Sequence, residues 1–536
     1  MIHDPWKDGL ARGWKAYDAS TFDADRTLEC DVAIVGTGAG GGTAAEILSR
    51  AGLSVVMIEE GPLRTSSDFH MVEREAYPQL YQESAGRRTK DKGIVILQGR
   101  AVGGSTTVNW TSSFRTPPET LDYWRATFGL HEYDRAELDP WYAMMERRLG
   151  VHPWNEPPNP NNEALRRGGE KLGIPTEVIP RNVRGCYNLG YCGMGCPTNA
   201  KQSMLVTTVP TALEHGATLI SRARAQHVVL SGDRVTELVC AALDSSGLAP
   251  GPHTVTIRAK RFIAAGGAIN TPALLLRSNV PNPHGTLGTR TFLHPVVVSA
   301  ALMPETVAAF AGAPQSIYSD HFLHTQALDG PIGFKLEVPP IHPVLMATTM
   351  AGFGRAHAAL MAEFANVAVI IALMRDGFHS ESVGGTVGLR GDGTPLLDYP
   401  ISEYVWEGAR RSLRTMAEIQ FASGARSVLP VHESARMVTS MKEADEMIAA
   451  LPMEILRAFV TSAHVMGGCG MGADPARSVV AGDGRHHQVE NLYVFDGSAF
   501  PTSIGANPQL SIYGIMARNA SKLAQEMTGR VPEPIA

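Results

Sequence analysis

The residues of this chain best suited to chemistry lie near its C-terminal end. His464 stands in Ser462-Ala-His-Val-Met-Gly-Gly-Cys-Gly470, and Asn507 in Gly505-Ala-Asn-Pro508. An imidazole has its ordinary pKa closest to neutrality, so it can take a proton from a weak acid such as a hydroxyl. A carboxamide beside it adds hydrogen-bonding capacity without adding a second base. The glycines after His464 form a flexible turn that could lie against a flat ring. Taken alone, His464 reads as readily as a hydrogen-bonded structural histidine, so the pair gains meaning only from what the rest of the chain brings to it.

The opposite end of the chain supplies a ligand site. Val32-Ala-Ile-Val-Gly36-Thr-Gly38-Ala-Gly-Gly41 fits G-x-G-x-x-G after an apolar run and at the start of a helical one. Gly36 permits the tight turn, Gly38 lets backbone approach a pyrophosphate, and Gly41 lets helix and strand pack closely. The pyrophosphate would lie on the helix N-terminus. Glu59 ends the following apolar run, where an acid would bind ribose hydroxyls. This motif does not separate NAD from FAD. A second glycine block, Gly99-Arg100-Ala-Val-Gly103-Gly-Ser105-Thr-Thr-Val-Asn109, favours FAD. A nicotinamide domain needs no such loop, whereas the longer flavin dinucleotide needs backbone to pass its ring and phosphates.

Six cysteines are present, and Cys186, Cys192 and Cys196 fall within eleven residues. Glycines around them would let a loop wrap a cluster, and Pro197 follows the last, as in ferredoxin-type loops. Three thiolates suit a three-iron cluster; zinc would want a fourth ligand, and none is close by. Free structural thiols and a disulfide or other metal are the alternatives. His486 and His487 sit in a polar turn before Leu492 and read as surface residues.

These residues need elements to position them. Residues 30–36, 39–51 and 53–58 read as strand, helix and strand, a β-α-β unit long enough for a parallel crossover. Residues 261–267 and 272–277 resume the strand-then-helix pattern. Residues 115–200 are rich in Pro, Trp and Arg and read as excursions and loops. From residue 293 β-rich runs appear at 294–298, 333–338, 367–374 and 385–389, with Gly391-Asp-Gly393 as a hairpin turn. Residues 402–423 read as a long amphipathic helix. The expected organisation is an α/β chain: a Rossmann-like FAD-binding domain over 1–292, with the cysteine-bearing excursion at 115–200, and a substrate domain with an antiparallel sheet over 293–460. Residues 461–536 return to the first domain with the catalytic pair.

Composition bounds the partners. The chain has 536 residues, 47 Lys and Arg against 53 Asp and Glu, and a net charge of −6. That gives no electrostatic case for nucleic acid or an anionic membrane. The start has no basic-then-apolar leader, and the most apolar run, 367–374, is too short to cross a bilayer. A cytoplasmic protein is expected, with peripheral contact at the inner face of a membrane left open.

With these residues placed, the chain resembles the glucose–methanol–choline oxidoreductases, flavoenzymes that oxidise alcohols. The resemblance rests on the fingerprint ending in Ile58-Glu-Glu-Gly61, the Gly99–Asn109 block, Gly267-Ala-Ile-Asn-Thr-Pro-Ala-Leu-Leu275, and the region from His464 to Asn507. Departures are Arg277-Ser-Asn-Val280 where the family usually has Ser-Gly, and Ser113 where an aromatic or Ala is common. The resemblance implies that His464 is the active-site base and Asn507 the second catalytic residue, at a position that is His or Asn in the family. It also implies that Arg100, Gly103, Ser105, Asn109, Val228, Asp496, Gly497 and Pro508 lie at the FAD. The cysteine spacing is similar to that of sugar dehydrogenase subunits with a three-iron cluster, but long-chain alcohol oxidases of the family also have a Cys- and Gly-rich segment here, followed by Lys. A cluster would pass electrons to a quinone or cytochrome and would favour a dehydrogenase over a peroxide-forming oxidase; a small-subunit contact is left open. Met346, Met350, Met361 and Met374 suit a flexible apolar substrate or plain core filling. A medium- or long-chain primary alcohol is the expected substrate, with a sugar or sterol as the alternative. Retention of both His464 and Asn507 argues against the family's non-redox members.

Overall fold

A computed structural model describes residues 4–535. Its first sheet is built outward from Arg26–Val35, in which Val32, Ala33 and Ile34 are buried and apolar. This strand pairs in parallel with Val55–Ile58 on one side and Pro250–Ala264 on the other. The order is Lys15–Asp18, Thr218–Ser221, Val55–Ile58, Arg26–Val35, Pro250–Ala264, Arg234–Leu243, Ala223–Ser231. The last two strands turn back antiparallel, as hairpin connections allow. Leu492–Val494 joins in parallel beside the end of Pro250–Ala264, so the C-terminal segment returns to the first sheet. The helices Ala39–Arg50 and Gln509–Thr528 pack together over it.

The second sheet runs Ile94–Ile96, Val460–Ser462, Val296–Leu302, Val367–Met374, Phe334–Glu337, Ile317–Ser319, Glu177–Val178. Its pairs are antiparallel except the first. Val367–Met374 is buried at every residue, which accounts for its unbroken apolar sequence. The helix Glu403–Ser423 covers this sheet, and each sheet has its own apolar core. Met346, Met350 and Met374 are buried in the second core and Met361 packs against it. The mixed α/β architecture with an antiparallel second sheet is the expected one.

Two local expectations are corrected. Much of 115–200 is helical: Pro118–Phe128, Arg135–Leu149 and Pro160–Leu172. Proline opens the first and third, Asp134 and Asn159 cap the second and third, and Gly129, Gly150 and Gly173 close them in the left-handed conformation. The Pro and Gly that suggested loops are helix punctuation. His486 is buried rather than exposed, and burial pushes its pKa down to about 4; His487 is half-buried beside the Ser478 hydroxyl.

Candidate active site

The two glycine blocks meet. Gly36 has φ +97°, and a Cβ there would lie 2.8 Å from the Ala265 carbonyl carbon. A Cβ at Gly41 would lie 3.0 Å from the Gly36 carbonyl carbon, so helix and turn are in backbone contact. At Gly38 the nearest atom would be Gly104 Cα at 3.8 Å, which leaves an open cradle. The helix Ala39–Arg50 begins there without a side-chain cap and without an acid in its first turn. Its free N–H groups and positive dipole end suit a pyrophosphate.

Glu59 joins these loops. Its Oε2 accepts from the Thr37 N–H at 3.1 Å and the Thr37 hydroxyl at 2.7 Å, and its Oε1 from the Gly61 N–H at 2.9 Å. Thr37 Oγ1 in turn accepts from the Gly103 N–H at 2.9 Å. Burial pushes the Glu59 pKa up. Oε1 keeps acceptor capacity for a ribose hydroxyl. Arg100 pairs with Glu60 and donates to the Gly247 carbonyl, while Ser105 Oγ accepts from the Gly99 N–H. Val228 lies in the strand Ala223–Ser231, with its N–H bonded to Ser278 Oγ. Asp496 accepts from the Gly267 N–H and Thr271 hydroxyl through Oδ2, and from the Ser498 N–H and hydroxyl through Oδ1. It thereby ties the Gly267 turn to the turn Gly497–Ala499. Pro508 opens the helix Gln509–Thr528, and Gln509 binds Asn109 Nδ2 at 2.6 Å and the Ser112 carbonyl at 2.8 Å.

Half-buried His464 and buried Asn507 are linked electrostatically through Lys335 and Glu337. His464 Nδ1 is 3.1 Å from His294 Nδ1, with the rings stacked at 5.3 Å. Burial, aided by the Lys335 charge, pushes the His464 pKa down to about 4. His464 is therefore neutral at pH 7. If its Nδ1–H donates to His294, Nε2 carries the lone pair a base needs. His294 has φ +48°, and its N–H is held by Asp376 Oδ1 at 3.0 Å; Asp376 also accepts from Tyr399 OH at 2.7 Å.

Strand periodicity puts Lys335 and Glu337 on the same face of Phe334–Glu337. Lys335 Nζ lies 4.0 Å from Glu337 Oε1, 3.3 Å from the Phe114 ring centre and 3.9 Å from that of Tyr318. Burial lowers the Lys335 pKa to about 8, against the pull of Glu337, and raises that of Glu337. Glu337 Oε2 accepts from Gln315 Nε2 at 2.6 Å and Asn507 Nδ2 at 3.1 Å. His294, Gln315, Lys335 and Glu337 were not singled out from sequence. The available signal was two charges spaced by two in the apolar run Phe334-Lys-Leu-Glu-Val338.

The cysteine loop is not arranged for metal. Cys186 packs beside Trp154, Val183 and Ala313, and its Sγ accepts from the Asn188 N–H. Cys192 Sγ faces the Arg181 guanidinium at 3.6 Å, and Cys196 Sγ faces the Lys201 N–H at 3.5 Å. The buried Lys201 ammonium donates to the carbonyls of Thr107, Asn109 and Cys192, fastening this loop to the second glycine block. Among the described residues no group of three His, Cys, Asp or Glu could hold a metal ion. The three thiols have separate partners and are not gathered as a metal-binding group among the described residues, so the expected three-iron cluster is not shown.

GMC oxidoreductase family models match residues 77–296 and 380–515. The long-chain-alcohol oxidase FAO4A of Arabidopsis thaliana is 29% identical over 93% of this chain and 69% of its own. An uncharacterised GMC-type oxidoreductase of Mycobacterium tuberculosis, Rv0492c, is 30% identical over 97% of this chain and 81% of its own. Among solved structures, pyridoxine 4-oxidase from Mesorbium loti superposes with a TM-score of 0.66 at 18% identity, covering 92% of this chain and 99% of that one. With glycine blocks, C-terminal return and a His–Asn pair all in one fold, the chain belongs to the GMC oxidoreductase family.

Proposed function

We propose that this protein is an FAD-dependent oxidoreductase that converts a medium- or long-chain primary alcohol to its aldehyde. The observation that carries this reading is the neutral His464, engaged through Nδ1 by His294 and connected through Lys335 and Glu337 to Asn507. His464 Nε2 takes the hydroxyl proton, while Asn507 hydrogen-bonds the substrate oxygen. Bound FAD supplies the hydride acceptor. Gly38 and the uncapped helix start would hold its pyrophosphate, and Glu59 its ribose.

The long-chain substrate is supported by the alcohol oxidase relatives. Dioxygen is the preferred electron acceptor, since those relatives are named oxidases. Anaerobic addition of a long-chain primary alcohol should bleach the flavin, and air should restore it with one peroxide per turnover. His464→Ala should keep flavin but lose bleaching; full reduction in that variant removes His464 as the base. Bleaching only by sugars or sterols would replace the substrate class. Iron in the wild type that disappears in Cys192→Ser would restore the cluster and a non-oxygen acceptor.

A further inference from the structure

Asn507 has an amide with two unlike ends, and the reaction needs one of them. As the hydroxyl proton leaves for His464, negative charge develops on the substrate oxygen; an N–H there stabilises it, whereas a carbonyl opposes it. Nothing in the Asn507 side chain itself selects its orientation.

The surrounding bonds do. An ionised carboxylate has no hydrogen to give, so an amide bonded to it must present its NH2. Glu337 Oε2 accepts from Asn507 Nδ2 at 3.1 Å and from Gln315 Nε2 at 2.6 Å. Gln315 Nε2 is set by the same carboxylate, which leaves its Oε1 to accept from the Ser112 hydroxyl at 2.8 Å. Glu337 is fully buried, and Lys335 is the cation beside its other oxygen. Turning the Asn507 amide over would set its carbonyl against this carboxylate.

We infer that Glu337 is a positioning residue for alcohol oxidation: it takes one Nδ2 hydrogen of Asn507 and so holds the second available to the reacting oxygen. This rests on the alcohol-oxidising reading of the site. Ser112, Gln315, Glu337 and Asn507 then form a hydrogen-bonded chain, its polarity set by the carboxylate, that runs from just after the second glycine block, through the second sheet, to the reacting atoms.

The test is the limiting rate of anaerobic flavin reduction by a primary alcohol in flavin-loaded variants. Asn507→Ala should lower it on the order of 100-fold, the usual effect of losing one such donor. The double substitution Lys335→Met with Glu337→Leu removes both buried charges together, so no unpaired charge remains. It should lower the rate to a similar degree, and adding Asn507→Ala to it should cost little more. Glu337→Gln replaces the acceptor-only carboxylate with an amide whose own NH2 can face Asn507, so it should lower the rate by well over threefold. Losses that multiply when combined, or a Glu337→Gln variant within about threefold of wild type, overturn the inference and leave Glu337 a structural counter-ion. A wild-type protein not reduced by any alcohol overturns the functional reading as well.

Discussion

Gly38 and Gly40 stand two residues apart in the same loop, yet alanine at each should fail for different reasons. At Gly38 the backbone has φ −70°, open to any residue, and an added Cβ would meet only Gly104 Cα at 3.8 Å. The methyl group would instead fill the cradle where a pyrophosphate must approach. At Gly40 an added Cβ would overlap the Phe495 carbonyl oxygen and lie 2.7 Å from its carbon and 3.3 Å from Asp496 Cα. That obstacle is backbone of the returning C-terminal segment, which cannot turn away as a side chain can. Overpacking costs roughly 1–3 kcal/mol where side chains can adjust, and the upper end applies here. The better helix propensity of Ala recovers about 1 kcal/mol, leaving a net loss of roughly 2 kcal/mol. With an unfolding entropy of about 2.1 cal/mol/K per residue over 536 residues, each kcal/mol shifts the midpoint by roughly 1 °C, so the melting temperature of Gly40→Ala should fall by roughly 2 °C. The assay is far-UV circular dichroism of flavin-stripped proteins, paired with flavin content as purified. Gly38→Ala should melt with wild type once both are stripped, but retain little flavin. A stripped Gly40→Ala that melts with wild type, or a Gly38→Ala with stoichiometric flavin, would refute this assignment of the two glycines.

The histidine site gives two further expectations. His464 has a folded-state pKa of about 4 against 6.5 when unfolded, so the unfolded chain binds more protons between these values. Stability should be full above pH 6.5 and fall as pH drops towards 4, and flavin reduction should lose its base over an acid limb near pH 4; a limb at 6.5 in stopped-flow measurements would contradict the desolvated, neutral imidazole. Lys335→Met leaves Glu337 buried without its cation, which should cost roughly 3–5 kcal/mol. Because the Lys335 charge helps depress the His464 pKa, the same substitution should move the acid limb upward, and an unmoved limb would separate the two residues electrostatically.

Much of this molecule is legible in its sequence because local rules decide it. The turn at Gly36, the helix from Ala39 and the strand Val55–Ile58 follow from glycine stereochemistry and apolar periodicity. The buried run Val367–Met374 and the helix Glu403–Ser423 follow from pattern as well. His464 and Asn507 could be named because the glycines and proline around them mark turns and carry a family resemblance. Where local signals are shared between structures, sequence misleads. Proline and glycine punctuate helices over 118–173 as they would loops, and three nearby cysteines do not reveal that Arg181 and Lys201 stand beside them.

Contacts across long sequence separations belong to the tertiary structure alone. Gly40 is obligatory because Phe495 returns beside it, and Glu59 bridges two glycine loops because Thr37 lies between them. Likewise, Glu337 meets Asn507 across 170 positions, and His294 meets His464 across the same separation. The sequence by itself determined which residue types could bind a dinucleotide and move a proton. Only the packing of the two sheets decided their protonation, orientation and partners, because burial and through-space charge depend on distance in the fold rather than distance along the chain.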